Sequence, residues 1–227
     1  MNTIQYSLGL GLILSTALVQ AKDFQGNFVG QNGFAQIEIY KNKLHASAIS
    51  GSGNLCDLEG TYTSGIVRAA NQCSFKLKPT PNGGFTIDLP YNSSCNYFCG
   101  LNVSISGTYL PIPTICENKR FDQALAMYRK QYHAQQYQTA YQTFSKTLST
   151  CKPYIDFLMY DKAASELSLS LKKLGRTQEC QKLLSQTSAY GKTEAELKED
   201  YRPVMYDSYI DTAKTIWFNA KACETAQ

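Results

Sequence analysis

The sequence predicts an α+β protein in two segregated parts: an antiparallel β-barrel or sandwich over residues 22–113, then α-helical hairpins over 114–227. Three observations carry this. Apolar residues alternate with period 2 from Phe34 to Tyr109. Beyond Pro111-Ile112-Pro113, a stiff linker, the apolar period becomes 3.6. The eight cysteines divide evenly about the same place, with Cys56, Cys73, Cys95 and Cys99 before it and Cys116, Cys151, Cys180 and Cys223 after it.

Residues 1–21 read as a signal peptide. Leu8 to Val19 is almost wholly apolar, and Val19-Gln20-Ala21 precedes Lys22 as a cleavage site would. The run is shorter than the roughly 20 residues a spanning helix needs. No later apolar stretch is long enough, so no transmembrane segment is expected in the mature chain. The expected location is periplasmic or extracellular, where cysteines are structural by default.

In the first half, Ala35, Ile37 and Ile39 alternate with polar residues, as do Leu44, Ala46 and Ala48. A two-residue turn at Lys41-Asn42 sets Ile39 opposite Leu44, Ile37 opposite Ala46 and Ala35 opposite Ala48, so the buried faces agree. The same register puts His45 opposite Glu38 on the polar face, a solvated cross-strand pair. Cys56, Leu58, Gly60 and Tyr62 share the next inward face. A turn at Ser64-Gly65 would then bring Cys56 opposite Cys73, near bridging distance. This favours Cys56–Cys73 and leaves Cys95–Cys99, with pairings to the 95–99 loop as rivals. Phe75 and Leu77, then Phe85, Ile87 and Leu89, continue the pattern around Pro81-Asn82-Gly83-Gly84. Val103, Ile105, Gly107 and Tyr109 form the last inward set. An apolar-x-Gly-x-aromatic repeat at Gly26, Gly60 and Gly107 marks places where a strand can kink to curve a barrel.

In the second half, Phe121, Leu125, Tyr128 and Tyr132 share one helical face, and Tyr137, Tyr141, Phe144 and Leu148 another. Ala164, Leu167, Leu171 and Leu174 continue to a stop at Gly175. A short helix carries Cys180, Leu183 and Leu184. Thr193 and Glu196 have capping-box spacing. The last helix starts near Pro203, with Tyr206, Ile210, Ala213, Trp217 and Ala220 on its core stripe.

This half resembles tetratricopeptide repeats. Tyr137, Ala140, Phe144 and Leu148, with Pro153 beyond, are similar to the second helix of a repeat. Leu171 to Leu184 is similar to the turn and second helix of another, with Cys180 where the family has a small Ala. The resemblance covers about 118–188 and implies a peptide-binding concave surface, on which Arg129, Tyr132 and His133 would lie. In antiparallel hairpins the helix ends at Cys116 and Cys151 are neighbours, as are those at Cys180 and Cys223. The expected bridges are Cys116–Cys151 and Cys180–Cys223. The first would close a loop worth about 3–4 kcal/mol by chain entropy.

Chemistry is thin. No Walker loop, G-x-S-x-G, H-E-x-x-H or G-x-G-x-x-G occurs, and there are only two histidines, His45 and His133. Cys95 and Cys99 form a lone C-x3-C, weak as a metal signal. No catalytic residue, metal site or cofactor is assigned, and no enzyme is expected. Residues 22–116 carry six Lys/Arg and five Asp/Glu, so nucleic-acid binding is disfavoured. The acidic residues of the helical half read mostly as solvated faces. Asn92 and Asn102 head glycosylation sequons by letter. Tyr97 and Phe98, between two cysteines, are candidate partner-binding aromatics. The expectation is a non-enzymatic adaptor or accessory protein that binds another envelope or secreted protein. The alternatives are an inhibitor or immunity protein against an envelope hydrolase, and a small lipophile-binding barrel.

Overall fold

The computed structural model describes residues 23–30 and 33–224. The expected signal segment lies outside them. No described helix is long and apolar enough to cross a membrane.

Among the described residues, nine strands form one antiparallel, barrel-like sheet: β1 (Gly26–Gly30), β2 (Ala35–Tyr40), β3 (Lys43–Ile49), β4 (Leu55–Thr63), β5 (Ile66–Ala69), β6 (Ser74–Lys76), β7 (Lys78–Pro79), β8 (Phe85–Ile87) and β9 (Gly107–Pro111). Their order in space is β6-β5-β4-β3-β2-β1-β9-β8-β7. Apart from β6 and β7, strands adjacent in sequence are therefore adjacent in the sheet, and β9 returns to β1. The two outermost strands, β6 and β7, are separated in the chain by Leu77 alone, which is buried. The sheet is thus nearly closed through one bent segment.

The β2–β3 register follows the expected one: Ile39 faces Leu44, Ile37 faces Ala46 and Ala35 faces Ala48. All but Ala35 are buried. The lumen holds Phe24, Phe28, Phe85 and Tyr109 in successive ring contacts with centroids 4.8–5.9 Å apart. Tyr109 donates its hydroxyl to the Ile105 carbonyl at 2.8 Å, and the Tyr62 hydroxyl accepts from the Phe24 amide at 3.1 Å. Burial pushes both hydroxyls' pKa up. Two of the three repeat glycines, Gly26 and Gly107, take positive φ (109° and 145°), the conformational need a strand kink creates. Val103 and Ile105, expected within the last strand, precede it; β9 begins only at Gly107.

The cysteine pairing of this half corrects the expected one. The bridges are Cys56–Cys99 and Cys73–Cys95, not Cys56–Cys73 and Cys95–Cys99. The β4–β5 register is as expected, with Thr63 opposite Ile66 and Gly60 opposite Ala69. However, β5 ends at Ala69, and the chain turns through Asn71 and Gln72, both at positive φ, before Cys73. Cys73 thereby leaves the ladder. Cys99 pairs with Cys56 as an isolated antiparallel bridge instead, and the Gly100 amide donates to the Leu55 carbonyl at 2.8 Å.

Six α-helices follow among the described residues: α1 (Asn118–His133), α2 (Tyr137–Cys151), α3 (Phe157–Lys173), α4 (Thr177–Leu184), α5 (Glu194–Asp200) and α6 (Pro203–Glu224). Asp156 caps α3 by accepting from the Met159 amide at 2.8 Å. Thr193 and Glu196 form a reciprocal capping box on α5. Bridges join Cys116 to Cys151 and Cys180 to Cys223. One buried cluster centres on Phe121, Phe144 and Leu167, another on Leu184, Tyr209 and Ile216.

Barrel and helices touch at several points. Asn27 donates its side-chain amide to Glu117 at 3.1 Å, and Phe34 meets Phe157 edge-on at 5.8 Å. Gly33 packs against the backbone of Ile155 and Asp156.

Candidate functional site

Strand alternation places residues 33–34 and the connections 50–54, 70–73 and 88–106 at one end of the barrel, and the tight turns 41–42, 64–65 and 80–84 at the other. The long connection 88–106 dominates the first end. Both bridges of the β half pin it, Cys99 to Cys56 and Cys95 to Cys73. Hydrogen bonds add to them. Asn54 donates to the Leu101 carbonyl at 2.9 Å, Ser94 to the Gln72 carbonyl at 3.0 Å, and Asn96 to the Tyr91 carbonyl. Underneath, Cys95 and Ile105 are fully buried, and Leu89, Phe98 and Val103 pack onto the lumen cluster.

The upper side of the same loop leaves large apolar side chains open to solvent among exposed polar ones. Tyr91 is 100 % exposed, Leu101 80 % and Tyr97 78 %, beside Leu55 at 64 %. A cleft of about 850 Å³ runs between Leu89–Tyr91 and Cys99–Ser104. Leaving large apolar side chains in water forgoes roughly 1.5–3 kcal/mol each. Tyr91 and Leu101 line this cleft, and with Tyr97 they stand on one covalently pinned loop, a pre-organised contact patch.

Of the two aromatics expected here, Tyr97 lies on this patch, and Phe98 turns inward with its ring edge-on to Tyr97 at 5.6 Å. Tyr91, Leu101 and Leu55 had not been singled out. Tyr91 follows Pro90 and Leu101 follows Gly100, both outside the alternating pattern, the one signal that could have marked them.

The other expected contact residues sit on α1, apart from this loop. Arg129 donates Nε and Nη2 to the Glu166 carboxylate on α3, at 2.7 and 2.6 Å. Its guanidinium pKa is raised chiefly by that hydrogen bond. Tyr132 is half-buried between the rings of Tyr128, His133 and Tyr137. His133 is exposed. Next to them, Tyr128 donates to the Glu166 carbonyl at 2.5 Å, and burial holds its pKa up, to about 12.

On the outer face of the sheet, Glu38 lies opposite His45 and His45 opposite Glu59. The imidazole Nε2 pairs not with Glu38 but with Asp57, diagonally across to β4, at 2.6 Å. Among the described residues, no group of three or more His, Cys, Asp or Glu is arranged to hold a metal ion.

A further polar cluster lies where the loop at Phe34 meets the helices. Asp161, on α3, is 1 % exposed, an exception to the solvated faces expected of most acidic residues in this half. Its Oδ2 accepts from the Tyr209 hydroxyl at 2.5 Å and the Ser188 amide at 2.8 Å. Desolvation raises its pKa, opposed by those bonds and by Lys152. The Lys152 ammonium stands 4.6 Å from the Tyr160 ring centroid and donates to Gln186 Oε1 at 2.9 Å; Tyr160 donates to the same oxygen at 3.0 Å.

No protein-family model, curated protein or solved structure gave a significant match to the chain.

Proposed function

We propose that this chain is an exported, non-enzymatic binding protein that engages another envelope or secreted protein through the pinned loop at the end of its barrel. The carrying observation is the exposure of Tyr91, Tyr97 and Leu101 on a loop held by two disulfides. Aromatic side chains with few rotatable bonds, on a backbone that cannot relax, lose little entropy when a partner covers them. Four disulfides and no free cysteine among the described residues support export to an oxidising compartment.

In the same reading the helices are two tetratricopeptide-like hairpins, α1–α2 and α3–α4, forming a domain of their own. Contact of α1 with α3 through Arg129 and Tyr128, and the buried Ala140 and Cys180 at the small-residue positions, support this. The hairpins would carry a second interface. A block of an envelope hydrolase remains the second reading, favoured by Tyr91 standing wholly clear of the surface. The lipophile-binding reading finds the lumen occupied by Phe28, Phe85 and Tyr109 and is not carried forward.

The test is capture from envelope extracts with the native chain and with a Tyr97→Ser/Leu101→Ser variant. The expected outcome is a protein retained by the native chain and lost with the variant, while melting temperatures stay close because both side chains are exposed. A hydrolase recovered at one-to-one stoichiometry selects the second reading. Equal recovery by both chains removes the loop from the interface.

A further inference from the structure

The polar cluster at the barrel–helix junction surrounds a cavity of about 370 Å³. That volume is at the small end for ligand sites, and junctions between structural units are a favoured place for them. Its walls are chemically divided. Phe34 from the barrel and Phe157 from α3 supply an apolar aromatic side. Asp161 and Lys152 supply opposite charges on the same cavity, with Tyr160 and Ser188 between.

We propose that this cavity binds a free α-amino acid with an apolar side chain, its ammonium on Asp161, its carboxylate on Lys152 and its side chain against Phe34 and Phe157.

Asp161 is the stronger half of the argument. A carboxylate this buried carries a large desolvation cost unless it is well bonded. It accepts from the Tyr209 hydroxyl and the Ser188 amide on Oδ2, and the Ser188 side chain bonds to it as well, while a carboxylate has about four acceptor positions. Acceptor capacity therefore remains for an ammonium, which would offset the cost further. Lys152 is complementary. Its ammonium has three donors, one of which is engaged by Gln186, and the residue is exposed, so it can take a carboxylate without leaving the Tyr160 ring. A ligand with one charge alone would satisfy one wall and leave the other as it was.

The single tryptophan, Trp217, reports on the site because its Nε1 donates to the Ala189 carbonyl at 2.8 Å, one residue from Ser188. The full chain is titrated with L-leucine, L-phenylalanine and D-leucine, followed by calorimetry and Trp217 fluorescence. Isoamylamine and isovalerate serve as amine-only and acid-only probes. The expected result is saturable binding of at least one amino acid, about tenfold or more tighter than either single-charge probe. Lys152→Met, at an exposed position, should keep the melting temperature and reduce the affinity about tenfold, to that of the amine alone. Asp161→Asn should abolish ammonium recognition; if it fails to fold, Lys152→Met and the probe series still decide. No binding of any amino acid at about 10 mM, or equal binding of amine and amino acid, overturns the proposal.

Discussion

A methyl group on Gly33 would lie 2.3 Å from the backbone nitrogen of Asp156, so barrel and helices meet there backbone to backbone. Gly33 also has φ of 76°. Gly33→Ala should therefore cost about 2–4 kcal/mol, combining overpacking with left-handed strain. Gly26→Ala, where φ is also positive but no atom lies within 4 Å of the added carbon, should cost only about 1 kcal/mol. Urea denaturation of both variants checks the contrast; equal losses would mean the close approach is not maintained in solution.

Arg129 is committed to Glu166 by two short hydrogen bonds, with side-chain exposures of 45 % and 25 %. Arg129→Ala should lower stability by about 1 kcal/mol or less, because the pair is partly solvated. Arg129→Lys should recover little, since an ammonium cannot reproduce the two-pronged contact. A double-mutant cycle with Glu166→Gln measures the coupling; a value indistinguishable from zero would show that the pair does not hold α1 to α3.

Digestion without reduction should release a peptide pair joining Cys56 to Cys99 and another joining Cys73 to Cys95. The Cys73→Ala/Cys95→Ala chain should lose about 3 kcal/mol by the loop-entropy argument. Its amide exchange should rise across 88–106 ahead of the strands. Recovery of a Cys56–Cys73 peptide instead would overturn the pairing.

Burial holds the Asp161 carboxyl above its ordinary value of 3.8, against the hydrogen bonds from Tyr209 and Ser188 and the charge of Lys152. Between the two values the folded chain binds more protons than the unfolded one. The contribution of this group is thus full below the unfolded pKa and is lost as pH rises through the folded pKa. The stability of the native chain relative to Asp161→Asn should fall across that window and level off above it. Urea midpoints measured from about pH 3 to pH 8 test this, and a pH-independent difference would contradict it.

Local pattern and distant contact were unequally legible. The β2–β3 hairpin could be read because Ile39 and Leu44 must share a buried face, and a slip by one residue would turn both outward. The box of Thr193 and Glu196 could be read because its parts lie within one helical turn. Cys73 could not be placed, because two residues at positive φ, Asn71 and Gln72, carry no obligatory glycine to announce the turn. The exposed patch was hidden for a related reason: Tyr91 and Leu101 are letters that usually mean core, and the loop that presents them is held by bridges and hydrogen bonds to distant residues. Asp161 sits between Tyr160 and Lys162 in a helix and reads as a surface acid; its burial depends on Ser188 and Tyr209, 27 and 48 residues away.

The bent segment that closes the sheet limits how anything can attach to it. The two strands at the ends of the sheet order are short, Ser74–Lys76 and Lys78–Pro79. Two lysines and a proline occupy them, residues that discourage a foreign strand from adding to an edge. Among the described residues the two outer strands therefore offer a partner only short edges to extend, and the same closure disfavours sheet-to-sheet aggregation. On the proposed binding function, recognition falls to side chains, and specificity to those the loop and the helices present.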